Sequence, residues 1–495
     1  MSIYQTIQDF VELAVNNGAI EAMDSIYLRN QLLHFLGMAD WKEPEKHQHE
    51  QDALLLMDKL LDEARENKQY DVTTGEFYEA ALMDFITPKP SRINQVFWEK
   101  YQDRPEDATA YFYDLARQIN QVKTRDIAKN LAFTHPTKYG DLEITINLSK
   151  PEKDPKAIAA AKMQNHSSYP KCALCLENEG LYGGGNHPAR SNHRVIRLSL
   201  NDQNWGFQYS PYAYYNEHSI VFNEKHQPMK INRKAFENLL AFLEVFPHYM
   251  IGSNADLPIV GGSILTHDHY QAGRHQFPML KASVRTPIKL LHYPKVKAGI
   301  LNWPMSVLRL QSRDKAELLE ASSEILEKWQ RYSDKELDIT AVDKEGILHH
   351  TITPIASRKG TEYCLDLVLR DNSTSEEYPD GIFHPHQKLH HIKKENIGLI
   401  EVMGLAILPP RLKAELKEVE KYLLNEPNEM KEIHRTWAEK LKATESITSQ
   451  GVHELVEQAV GAVFEEVLQD AGVFKDDAPG QAGFIKFVNF INEDN

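Results

Sequence analysis

The chain has 495 residues, 42% of them hydrophobic and 26% charged, the balance of a water-soluble globular protein too long for one core. A net charge of −15 and a pI near 5.8 argue against nucleic-acid binding as the main role, so a phosphate ligand needs a local basic pocket. No stretch approaches the roughly 18 apolar residues of a membrane span, and the first ten residues lack the charged and apolar parts of a secretion signal, so a cytoplasmic protein without membrane attachment is expected.

Residues 1–135 read as a helical region. Ile7, Phe10, Val11, Leu13 and Ala14 recur at helical spacing, and Asn16-Asn17-Gly18 ends that helix before Asp24 opens another that stops near Gly37. Further helices are expected over 51–66 and 106–133. Tyr139 to Ser149 alternates as a strand and leads into Lys150, Lys153 and Lys156 ahead of an Ala-rich helix.

Residues 136–280 carry the chemistry. Cys172 and Cys175, spaced Cys-x-x-Cys among only three cysteines, are half of a tetrahedral zinc site, which needs two further nitrogen or sulfur ligands. Arg190 and Arg194 suit pyrophosphate oxygens. Tyr209, Tyr212, Tyr214 and Tyr215 suggest one face of a sheet, with a helix over 232–250 packing on it. Ile259 to Gly273 follows: Gly261 and Gly262 permit a sharp turn or close approach to a ligand. If His267-Asp268-His269-Tyr270-Gln271 is a strand, period two puts His267, His269 and Gln271 on one face. Two imidazoles and a carboxamide so placed suit phosphoryl chemistry: an imidazole attacks phosphorus and an amide N–H steadies the oxygen.

Residues 281–495 read as a second α/β half with C-terminal helices. Helices are expected at 315–332 and 411–424, and strands at 348–354 and 363–370. Phe383-His384-Pro385-His386-Gln387-Lys388 is a second histidine cluster, in a Pro-containing loop without the cysteines or carboxylates of a metal site.

Gly-Gly-Ser followed by His-x-His-x-Gln resembles the active-site strand of the histidine-triad superfamily. Trp205 to His218 and Ile382 to Glu401 resemble the bacterial class II galactose-1-phosphate uridylyltransferases, and the likeness spans nearly the whole chain. The resemblance implies an α+β fold: a helical N-terminal region, then two histidine-triad-like halves with mainly antiparallel sheets. It implies an enzyme of galactose metabolism that moves UMP from UDP-glucose to galactose 1-phosphate, with His269 as nucleophile and Gln271 as oxyanion donor.

It further implies substrate contacts from Asn254, Gly262, Ser263, Lys150, Lys153, His384, His386 and Lys388, no organic cofactor, and a homodimer. Structural zinc would be held by Cys172, Cys175, His226 and His267. The iron-binding His-x-His of class I relatives is absent, Leu365-Asp366-Leu367-Val368-Leu369 standing there instead. Two rival readings remain: a phosphorylase of the same superfamily with phosphate as acceptor, and an inactive nucleotide-binding protein.

Overall fold

The computed structural model describes residues 2–44, 49–71, 73–149, 169–184, 187–262 and 264–493. Lys150, Lys153 and Ser263 lie outside the described residues. The chain divides into two compact units that are discontinuous in sequence. Unit 1 comprises Met1–Arg125, Pro151–Ala213 and Glu217–Gln227; unit 2 comprises Asp126–Lys150, Tyr214–Asn216 and Pro228–Asn495.

Helices Ile3–Asn16, Ser25–Phe35, Ala53–Glu66, Gly75–Asp84, Pro90–Asp103 and Pro105–Gln118 build most of unit 1. Their ends are written locally. Ser2 and Asp52 accept from backbone N–H groups of the first turn, and Pro90 and Pro105 sit where a missing N–H costs nothing. The expected helix over 106–133 is shorter: after Gln118 only a single turn at Thr124–Ile127 follows, and strand β1 (Leu131–Thr137) begins, pairing antiparallel with β2 (Gly140–Ile146) in unit 2.

Strands β3 (Ile196–Leu200), β4 (Gln203–Tyr209) and β5 (Ser219–Asn223) complete unit 1 as an antiparallel set. Phe207 and Tyr209 pack on Phe97 and Phe112, and the Tyr209 hydroxyl donates to Thr109 O at 3.0 Å, fixing strand to helix. Of the four expected sheet tyrosines only Tyr209 is in a strand; Tyr212, Tyr214 and Tyr215 occupy the following turns.

Unit 2 contains β6 (Met250–Gly252), β7 (His269–Gly273), β8 (Val284–Ile288), β9 (Lys297–Leu301), β10 (Val307–Ser312), β11 (His350–Lys359) and β12 (Glu362–Asp371), in the order β7-β6-β11-β12-β10-β9-β8. Every neighbouring pair among them is antiparallel. Helices Arg233–Val245 and Lys315–Trp329, capped by Asn232 and Asp314, cover one face; Asn238 Nδ2 donates to the Tyr270 hydroxyl there at 3.1 Å. Against the other face lies an apolar core holding Ile355, Val368, Trp303, Ile397 and Leu399, continued by helix Val452–Ala471. A small sheet closes this side, with β13 (Leu405–Leu408) parallel to β2. The α+β class with mainly antiparallel sheets therefore stands. Among the described residues no helix is long and apolar enough to cross a membrane.

Candidate functional site

Strand β7 starts at His269, so the expected strand is shorter and His267 sits in the bend before it. Period two still puts His269 and Gln271 on one face. His269 is 7% exposed, and its Nδ1 lies 2.7 Å from the backbone oxygen of His267, an acceptor only. Nδ1 therefore carries the proton and Nε2 the lone pair. Burial, together with the neighbouring His267 ring, pushes the His269 pKa below its ordinary value despite that hydrogen bond.

The turn ahead of β7 is tight, though not where two glycines suggest. Val260 N donates to Pro258 O at 2.8 Å, closing a γ-turn around Ile259 at φ 71°, a conformation that strains a β-branched residue. Gly261 and Gly262 are needed for close approach instead. A Cβ on Gly261 would come within 2.6 Å of the carbonyl oxygens of Leu257 and Ala255, and one on Gly262 would lie 2.6 Å from Asn254 Nδ2. Asn254 Oδ1 accepts from Leu399 N at 2.8 Å, so its amide group is aimed by a residue 145 positions away. His269, Gly262 and Asn254 thus belong to one neighbourhood of unit 2, floored by the β6–β7 pair.

The second histidine cluster divides. His384 is 5% exposed and neither ring nitrogen has a partner in full hydrogen-bond geometry; burial lowers its pKa, with the charge of Arg370 adding to this and the nearby Pro385 backbone and Asn396 side chain opposing it. His386 is anchored elsewhere, stacked on Tyr378 and reaching Asp470 with backbone N (3.1 Å) and Nδ1 (3.3 Å). Lys388 is exposed and pairs with Glu466 at 3.0 Å. The loop is therefore clamped to helix Val452–Ala471 through His386 and Lys388, while His384 turns inward.

In unit 1 Arg194 departs from its expected role in phosphate binding. It is 2% exposed, donates to the carbonyl oxygens of Pro88 (2.8 Å), Ser191 (2.8 Å) and His193 (2.9 Å), and pairs with Asp84. Its donors serve the scaffold. Arg190 differs: its Nε has no partner, and burial lowers its pKa. Cys172, Cys175 and His226 come together, with sulfur to sulfur 3.6 Å and Cys175 Sγ to His226 Nδ1 3.2 Å. A tetrahedral zinc ion gives edges of about 3.8 Å and about 3.5 Å for such pairs, so this donor set fits the metal. Asn178 Nδ2 donates to the carbonyl oxygens of both cysteines, at 2.9 and 2.8 Å, and so holds the knuckle. Burial pushes the Cys175 thiol up to about 11.

Asn396 and Arg370 carry no comparable sequence signal, yet the fold brings both to this region. Asn396 Nδ2 reaches Gly261 O at 3.4 Å, and Arg370 Nη2 donates to Ile397 O at 2.9 Å.

Two family models cover most of the chain: galactose-1-phosphate uridyl transferase N-terminal domain over residues 18–228 and C-terminal domain over 242–439. A galactose-1-phosphate uridylyltransferase of Lactococcus lactis subsp. lactis is 68% identical, covering 99% of this chain and 100% of that protein. Those of Enterococcus faecalis (55%; 99% of this chain, 98% of that protein) and Streptococcus thermophilus (54%; 98% of each) also match. The solved yeast Ap4A phosphorylase Apa2 superposes with a TM-score of 0.34 at 12% identity over 65% of this chain and 88% of that one, too slight a likeness to bear on function. Matched over nearly its whole length by such relatives, and over 18–228 and 242–439 by the two domain models, the chain belongs to the galactose-1-phosphate uridylyltransferase family of enzymes.

Proposed function

We propose that the protein transfers a uridylyl group from UDP-glucose to galactose 1-phosphate through a covalent intermediate on His269. The observation that carries this reading is the His269 Nδ1 to His267 O hydrogen bond of 2.7 Å, which holds the tautomer a nucleophile needs. The Nε2 lone pair forms a bond to the α-phosphorus while the bond to the bridging oxygen breaks, and glucose 1-phosphate departs with that electron pair. The ring, now substituted at both nitrogens, is cationic, and its Nδ1–H still donates to the His267 carbonyl oxygen. A phosphate oxygen of galactose 1-phosphate then attacks the same phosphorus, the N–P bond breaks, and UDP-galactose leaves a neutral imidazole. Gln271, on the His269 face, and the Asn254 amide steady the nonbridging oxygens. Arg190 contributes to binding the pyrophosphate.

Zinc, when bound to Cys172, Cys175, His226 and His267, supplies rigidity: a four-ligand site leaves no open position for substrate. A cytoplasmic site for this reaction fits the three cysteines, which would remain reduced there.

Uracil-labelled UDP-glucose given without acceptor tests the reading. A UMP adduct on the His269 peptide, discharged by galactose 1-phosphate, is expected. A His269→Gly protein that still exchanges label between glucose 1-phosphate and UDP-glucose overturns it.

A further inference from the structure

Arg370 stands at the end of β12 and is 1% exposed. Its Nη1 lies 3.3 Å from Thr353 Oγ1, its Nη2 donates to Ile397 O at 2.9 Å, and its Nε has no partner. Both partners are neutral, and among the described residues no carboxylate pairs with this guanidinium. Glu401 is near enough to act on its charge but is committed, Oε1 to Lys393 Nζ at 3.1 Å and Oε2 to Gly398 N at 3.2 Å. Lys393 also meets the exposed Glu395 at 3.6 Å, so the partly buried Glu401 and Glu395 serve Lys393, while among the described residues the buried Arg370 has no carboxylate bonded to it. A buried charge without a counterion is costly, and an incoming anion relieves it.

Arg370 Nε has no partner in this region, and the His384 ring nitrogens have only the Pro385 backbone and the Asn396 side chain nearby, neither in full hydrogen-bond geometry. Asn396 neighbours the His384 ring, and the 396–399 segment ties the place to the nucleophile, since Ile397 O accepts from Arg370 and Leu399 N donates to Asn254. The sheet register agrees. Gln271 lies opposite Gly252, and Gly252 opposite Ile355, so Thr353, two residues along β11, shares the face of Gln271 and His269, and its hydroxyl meets the Arg370 guanidinium.

We propose that Arg370 and His384 form the pocket for the phosphate monoester of the sugar 1-phosphate, the group that leaves in the first displacement and enters in the second. The assignment rests on the His269 reading for its place in the reaction. Phosphate oxygens only accept, and the pocket offers donors: a guanidinium N–H and one N–H of a neutral imidazole. Burial keeps that imidazole neutral, so its second nitrogen accepts a hydroxyl of the sugar or of water.

Calorimetry on the full chain decides the matter, with glucose 1-phosphate as probe and UMP as control. Arg370→Gln should weaken glucose 1-phosphate by about tenfold or more while leaving UMP within about twofold, and His384→Ala should weaken it by several-fold. Arg370→Lys should fall between Gln and the parent, because it keeps the charge and loses the Nε donor. If circular dichroism shows the Gln variant unfolded, the Lys and His384→Ala proteins carry the test. Unchanged glucose 1-phosphate affinity in the folded variants, or equal loss of both ligands, overturns the pocket. The two readings separate. An adduct on His269 with glucose 1-phosphate binding indifferent to Arg370 and His384 removes the pocket alone. No adduct, with binding still sensitive to both, removes the covalent step alone.

Discussion

The His269 ring and the His267 backbone oxygen, 2.7 Å apart, are two residues apart in sequence, and the chain can bring them together only because β7 begins at His269 and not before. Had the strand run through His267, that carbonyl would belong to the sheet ladder and could not face a side chain on its own strand. The bend thus has a chemical consequence, because it fixes which nitrogen attacks.

Gln271→Ala should lower kcat by about 10²–10³ and change KM little, because a donor to a developing oxyanion acts mainly in the transition state. Steady-state kinetics with both substrates varied checks this. An equal rise in KM with kcat unchanged would place Gln271 in ground-state binding.

Gly262→Ala puts a methyl group 2.6 Å from Asn254 Nδ2, so the amide or the turn must shift. Activity should fall by roughly tenfold to a hundredfold, the scale of a displacement near 1 Å at a reacting centre. Adduct formation rates on folded protein measure it, and a variant as fast as the parent removes Asn254 from the chemistry.

Arg194→Met should destabilise the fold by about 2 kcal/mol, since it leaves the carbonyls of Pro88, Ser191 and His193 without their buried donor, while Asp84, a third exposed, keeps Lys89 at 3.7 Å. Per folded molecule, KM for UDP-glucose should not move. Denaturant unfolding and kinetics together separate this scaffold role from phosphate binding, for which KM rises and stability holds.

Glu415 is a buried acid of unit 2 held by three basic side chains, Arg411, Lys431 and His434. Burial alone raises its pKa, but hydrogen bonds from Lys431, His434 and Arg411 outweigh it and hold the carboxyl down to about 2, against an ordinary 4.5. A depressed acid stabilises the fold above its unfolded pKa, and that contribution fades as the pH falls from about 4.5 toward about 2. The size is about 3 kcal/mol. Glu415→Gln should therefore be less stable at pH 7 and show a flatter stability profile between pH 5 and pH 3, read by urea unfolding across that range.

Elemental analysis of purified protein should find about one zinc per chain, and Cys175→Ser should lose it and melt at lower temperature. A metal-free parent with an unchanged melting temperature after exhaustive chelation would remove zinc from the structure.

The residues whose meaning is local were legible without a fold. The apolar stripe of Ile7 to Ala14, the helices near 51–66, 232–250 and 315–332, the Cys-x-x-Cys pair and the shared face of His269 and Gln271 follow from short-range periodicity and side-chain chemistry. The errors were local as well. The helical pattern over 106–133 overran because residues 119–130 keep helix-compatible composition while the chain turns toward β1, and the tyrosine spacing continued past the end of β4 into turns.

By itself the sequence determined which side chains have the chemistry: an imidazole, a carboxamide, two thiols and several cations at recognisable spacing. Only the tertiary structure decided how each is employed. It gave Arg194 to Asp84, 110 positions away, turned Asn254 toward Leu399, and left Arg370 buried among neutral partners. The reason is physical: a charge or amide acquires its role from whichever group ends within hydrogen-bond reach, and such partners come from distant segments that no local pattern encodes.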